Sequence, residues 1–128
     1  MNVHDFDGRV SIDNEDELRL RLELVRKGEF GAFLLHHDKG YPALALHING
    51  DVAYLHYYPS RGHSGYQAQD MAPSGCEPKV RFLQLDGDEG NVFQVPDYTL
   101  VSTETAYETA LEFFRRSEIP LSISWCGM

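Results

Sequence analysis

Between Phe30 and Tyr58 the apolar and aromatic residues fall in three runs of strand length, FGAFLLHH (30–37), YPALALHI (41–48) and DVAYLHYY (51–58), divided by Asp-Lys-Gly and Asn-Gly. Asn-Gly between two such runs is a strong hairpin signal, because both residues tolerate the positive φ of a tight two-residue turn. With Asn49 and Gly50 as the loop, Ile48 is expected opposite Asp51, His47 opposite Val52, Ala45 opposite Tyr54 and Ala43 opposite His56. Side chains alternate faces along a strand. Leu44, Leu46, Ile48, Ala53, Leu55 and Tyr57 therefore belong to the core face, and His47, Tyr54, His56 and Tyr58 to the other. In this register His47 and His56 stand four rungs apart, about 13 Å at roughly 3.3 Å per residue, too far to share a metal.

Two segments read as helices. Asp13 or Asn14 offers an N-cap to EDELRLRLELVRKG, which has acids early, bases late and Gly28 as a stop. Leu18, Leu20, Leu22 and Leu24 alternate with a strand's period, and Leu18, Leu22 and Val25 share a helical face; propensity and capping decide for a helix. Ser102 or Thr103 caps TETAYETALEFFRRSE, whose Ala106, Tyr107, Ala110, Leu111, Phe113 and Phe114 form one broad apolar face, with Arg115 and Arg116 where the dipole favours them. Ile119-Pro120 is expected to break this helix.

GRVSID (8–13), HSGYQAQDM (63–71), KVRFLQLDG (79–87, an edge or half-buried strand) and LSISW (121–125) read as further short strands, with APSGCEP as a loop. The fold class that follows is α+β: a mainly antiparallel sheet of about five to seven strands with two main helices packed chiefly on one side. Residues 1–128 fit one domain, long enough to bury a core without staples. No run reaches the roughly 18 apolar residues of a membrane span, and MNVHDFDG lacks the basic and apolar regions of a signal peptide. The expected location is the cytoplasm.

Charge changes the picture further. Twenty Asp and Glu against eleven Lys and Arg give a formal net charge of −9, which opposes nucleic-acid phosphates and suits a basic protein partner. Candidate chemistry is sparse. Cys76 and Cys126 form no Cys/His cluster; His36 and His37 are strand neighbours that point to opposite faces; no recognised ligand spacing links the remaining histidines. DGDEGN (86–91) opens like a calcium loop without its later ligands and reads as a solvated acidic turn. A nucleophile elbow, phosphate loop and dinucleotide fingerprint are absent, and His63-Ser64 has no third group to orient a base. No catalytic residue, cofactor or metal is expected.

The order of these segments is similar to that of a known family. DFDG (5–8), Ile12-Asp13, YPALALHI, DVAYLHYY, Val101-Ser102, the helix positions Ala110, Phe113 and Phe114, Pro120 and Trp125 together resemble the first numbered family of bacterial polymorphic-toxin immunity proteins. Members that guard against a double-stranded-DNA cytosine deaminase toxin match best. The resemblance spans nearly the whole chain and is weakest from Pro59 to Glu89.

It implies a protein without enzymatic activity that binds a cognate toxin domain, here a basic, nucleic-acid-acting deaminase, as a 1:1 complex and occludes its active site. Aromatic and Arg anchors in a desolvated centre and carboxylates that occupy phosphate positions would serve such an interface. The residues of those types are Tyr54, His56, Tyr58, Arg61, His63 and Tyr66, with Asp70, Asp86, Asp88 and Glu89 as the acids. Two other readings compete. One is a small-ligand or enzymatic α+β domain that uses the Tyr/His face, signalled by a pocket with converging polar groups. The other is an assembly subunit docking through an exposed edge at residues 79–85.

Overall fold

The computed structural model describes residues 1–24, 30–69, 80–83, 92–95 and 97–127. In chain order these form β1 (Asn2–Asp5), β2 (Gly8–Ser11), α1 (Glu15–Glu23), β3 (Phe30–His36), β4 (Ala43–Asn49), β5 (Val52–Tyr58), β6 (Tyr66–Ala68), β7 (Val80–Leu83), β8 (Val92–Val95), a 3-10 turn (Asp97–Thr99), β9 (Leu100–Ser102), α2 (Thr103–Arg116) and β10 (Trp125–Gly127). Every strand pairing among these residues is antiparallel. The main sheet runs β10-β6-β5-β4-β3-β1-β2, and β9 shares the far edge of β5 with β6. It is an α+β fold. The main sheet has eight strands because β5 is long enough to pair with β9 through Val52–Tyr54 and with β6 through His56 and Tyr57.

The β4–β5 hairpin corrects the expected register. Asn49 pairs with Val52, Ile48 with Ala53, His47 with Tyr54, Ala45 with His56 and Ala43 with Tyr58, so the loop is Gly50–Asp51. Gly50 has φ 61 at the first loop position, where a type II′ turn demands glycine, while Asn49 stays in the strand. The pairing moves by two residues, which leaves the faces unchanged: Leu44, Leu46, Ile48, Ala53, Leu55 and Tyr57 are all buried. His47 and His56 now stand two rungs apart, roughly 7 Å along the strands, not four. The strand start also moves, from Tyr41 to Ala43, past the Pro42 nitrogen that has no hydrogen to donate.

Helical period wins in α1. Leu18 and Leu22 are buried, whereas Leu20 and Leu24 are 66% and 61% exposed. Asn14 is the N-cap, accepting from Glu17 N at 2.9 Å, and Asp13 N donates to the Glu17 carboxylate, a reciprocal box that satisfies two backbone donors. Val25 and Gly28 lie outside the described residues. In α2 the Ser102 hydroxyl accepts from Thr105 N at 3.0 Å. Ala106, Ala110, Leu111 and Phe113 are buried, and Tyr107 and Phe114 pack at their margin. Thr109, unforeseen, is buried too, its hydroxyl donating to Thr105 O. The helix stops at Arg116, before Pro120, because Ser117 turns left-handed at φ 57 and donates its N–H to Phe113 O.

Both helices lie on one face of the sheet, where their apolar residues form a continuous core with Val3, Phe33, Leu35, Leu46, Leu55 and Val101. Arg115 pairs with Glu15 and Arg19 with Glu108, linking the helices on their solvent side. Thr103 ties α2 to the hairpin: its N–H donates to Asp51 O and its hydroxyl to Gly50 O.

Three short strands differ from expectation. Of the segment 63–71, the described residues 63–69 are paired at Tyr66–Ala68, after Gly62 and Gly65 turn the chain with φ 80 and 87. The last strand is Trp125–Gly127, not 121–125; the Trp125 indole donates to Pro120 O at 2.6 Å and bends the chain between them. Val80–Leu83 forms a separate two-stranded sheet with β8, so it is no edge of the main sheet, and its Phe82 is fully buried. No helix among the described residues is long and apolar enough to cross a membrane.

Candidate functional site

The helix-free face of the sheet is built from three rungs of paired residues. The first runs Asn2, His36, Ala43, Tyr58; the second Arg9, His4, Leu34, Ala45, His56, Gln67; the third Ala32, His47, Tyr54, Leu100. The third is roofed by the β7–β8 hairpin. Tyr54 packs with Phe82 and Val95, the His47 ring meets Phe93 edge-on at 4.8 Å, and Asn49 Nδ2 donates to Arg81 O. The first two rungs stay open. There the small Ala43 and Ala45 leave a trough of about 930 Å³ between His4, His36 and Arg9 on one side and Tyr58 and Tyr41 on the other.

One wall of this face is a ladder of rings along β5, with centroids 6.2 Å apart from Tyr54 to His56 and 4.3 Å from His56 to the stacked Tyr58. His56 is locked at both nitrogens. Its Nδ1 lies 3.2 Å from the Tyr54 hydroxyl, itself 3.3 Å from Gln67 Oε1, and its Nε2 donates to Ser64 O at 2.8 Å. Burial lowers the His56 pKa, opposed by that carbonyl bond, and pushes Tyr54 up to about 12 with help from nearby Tyr58. Gly65 closes against this ring: a Cβ there would come within 2.5 Å of His56 Nε2. The 59–65 loop is therefore pinned from beneath while its outer residues stay in solvent.

The opposite wall has a different character. The His4 and His36 rings lie 5.2 Å apart; His36 is buried and its Nδ1 donates to His37 O, but His4 Nε2 is buried with no hydrogen-bond partner. An unmet buried imidazole nitrogen costs on the order of 1–3 kcal/mol. Burial, followed by the neighbouring His36 and Arg9, lowers the His4 pKa, and Asp5 opposes them. That carboxylate is neutralised, since Arg21 donates to both its oxygens at 2.5 and 3.0 Å. Arg9 is thus the uncompensated charge among the residues lining the trough, in a chain of net charge −9.

The structure separates the residues singled out from sequence. Tyr54 is buried under the β7–β8 hairpin and His56 beneath Ser64 and Gly65 of the 59–65 loop, neither under a helix. Tyr58 is half-buried at the trough, Arg61 and His63 are exposed on the pinned loop, and Tyr66 is half-buried, stacked on His63 at 5.4 Å. Asp70, Asp86, Asp88 and Glu89 lie outside the described residues. His63 Nδ1 accepts from Gly65 N, which turns the ring back on its own loop. Among the described residues no three His, Cys, Asp or Glu groups gather to hold a metal. Sequence reading missed His4, Arg9, Leu34 and His36. Their one local signal was the Asn2–Ser11 hairpin around Asp-Phe-Asp-Gly, which places His4 and Arg9 side by side.

No family model matches the chain. Along its length, however, it is 30% identical over 129 residues to the double-stranded DNA deaminase immunity protein of Burkholderia cenocepacia (strain H111), with 98% of each chain covered. Agreement at this identity over nearly the whole of both chains shows the kinship: this chain belongs to the family of the double-stranded DNA deaminase immunity protein.

Proposed function

We propose that this protein binds a cognate toxin domain, a nucleic-acid-acting deaminase, in the cytoplasm as a 1:1 complex, and neutralises it by occluding the active site without catalysis of its own. The observation that carries the reading is the end-to-end likeness to a protein named for deaminase immunity. The charge of −9 supports it, because a domain that acts on nucleic acid presents cations to phosphates and an acidic protein is steered towards them. Tyr58 on the open face and Arg61 and His63 on the loop beside it are of the types that anchor interfaces, and Tyr66, packed with Tyr57 on the helix-covered face, would act through its stack on His63. Asp70, Asp86, Asp88 and Glu89 would supply carboxylates at phosphate positions, and Tyr54 and His56 would act from beneath by holding the loop.

Co-expression with the toxin domain encoded beside this chain, then a binding titration across a salt series and a deaminase assay, tests the reading. A stoichiometric complex that weakens as salt rises, with deamination lost, is the expected result; no complex and undiminished toxicity would end it. Reversing Asp86, Asp88 and Glu89 together to Lys should weaken binding at least about tenfold with folding unchanged. Unaltered affinity would remove that segment from the interface. A small-ligand reading draws on the trough, whose volume of about 930 Å³ lies within the range of ligand sites. Thermal stabilisation by a small molecule in the absence of toxin would favour it.

A further inference from the structure

The trough and the rest of the surface ask for different partners. A chain this acidic attracts cations, yet the trough exposes Arg9 while its one lining carboxylate, Asp5, is already held by Arg21. Next to Arg9 across the β1–β2 pairing is His4, whose Nε2 has no hydrogen-bond partner. Ala43 and Ala45 keep the floor low and apolar, and Tyr58 supplies an aromatic wall. An unpaired cation and an apolar floor share one open channel, with the His4 ring in its wall. A segment that fits must be narrow, largely apolar and carry negative charge where Arg9 stands.

We propose that this trough receives a protruding segment of the toxin domain that presents a carboxylate to Arg9 and lays its apolar flank on Ala43 and Ala45. The proposal rests on the toxin-neutralising reading above and adds the face, the chemistry and the polarity of the contact. It assigns the helix layer, with its exposed Glu104 and Glu108, to solvent in the complex. A second copy of this chain is a weaker occupant, since its high net negative charge opposes self-association.

The test uses the intact chain and its toxin domain. Ala45→Trp fills the floor, Arg9→Glu reverses the charge at an exposed position of β2, and Glu108→Lys reverses a charge on the helix layer. Circular dichroism and the unfolding midpoint check that each variant is folded. Affinity should fall by about 100-fold for Ala45→Trp and at least about tenfold for Arg9→Glu, while Glu108→Lys stays within about threefold. A scan of Asp and Glu positions on the toxin, each reversed to Lys, should find one that restores binding to Arg9→Glu. If the wild-type chain fails to bind the toxin, the immunity reading itself falls. If it binds but folded Arg9→Glu and Ala45→Trp bind equally well, only the trough assignment is overturned. The same holds if no toxin reversal rescues Arg9→Glu, or if sedimentation shows that the trough variants alter self-association alone.

Discussion

The two faces of the sheet are made from the same strands and behave oppositely. On β4, Leu44, Leu46 and Ile48 point into the helix layer with no solvent exposure, while Ala43, Ala45 and His47 point the other way into the trough or under the hairpin. The helix face is closed by aliphatic and aromatic side chains from α1 and α2 that interdigitate with it. The helix-free face has rings at its margins, alanine along its floor and a hairpin over one end. One face is fitted to stay shut and the other has room left in it. Alternation along a strand lets a single segment serve both ends, so a packed face and an open face are built from adjacent residues.

The sharpest way to break this comparison is to substitute neighbouring positions that point to opposite faces. Leu46→Ala should destabilise the fold by about 2–5 kcal/mol through lost burial and an unfilled cavity, whereas Ala45→Ser should change it by less than about 1 kcal/mol. Urea unfolding of the two variants measures both; equal losses would mean that the trough floor is core. A smaller effect probes the anchor beneath the loop. Gly65→Ala places a Cβ at positive φ and against His56 Nε2 and Tyr57 O, and should cost about 1–3 kcal/mol in the same experiment. Limited proteolysis should then cut first within residues 59–65.

The smallest effect is a pH dependence confined to the helix-free face. His4 and His56 both have lowered pKa values, chiefly through burial, so the unfolded chain binds more protons than the folded one once pH falls below about 6.5. Their contribution is complete above that value and is lost as pH drops towards their depressed folded pKa values. Facing groups set the size of each: His36, Arg9 and Asp5 around His4, and the Tyr54 hydroxyl and Ser64 carbonyl around His56. Between pH 7.5 and 5.5 the wild-type unfolding free energy should decline, and a His4→Gln, His56→Gln variant should decline less. Parallel slopes in the two proteins would show that neither imidazole is held neutral by its site.

Much of the helix-covered face was legible in the chain. Apolar period, caps and the Asn-Gly turn located both helices and the three central strands, because each of those signals is local. The hairpin register was misread by two residues, since Asn49-Gly50 and Gly50-Asp51 are both acceptable turns and only pairing across the whole sheet chooses. The trough was less visible still. Tyr58 and the His56 ladder lie in one run, but His4 and Arg9 come from a terminal hairpin, and nothing local says that β1 lies beside β3.

The sequence by itself determined the class of the fold, the face each central residue takes, the acidic character and the kinship with immunity proteins. These depend on the order and alternation of side chains, which the chain carries wherever it goes. Tertiary structure alone decided that Tyr54 and His56 are covered, that Asp5 is spent on Arg21, and that Arg9 and His4 stand over a floor of alanines. Exposure and pairing are properties of neighbours brought together over long stretches of chain, and no local pattern encodes which strand edge or hairpin will arrive.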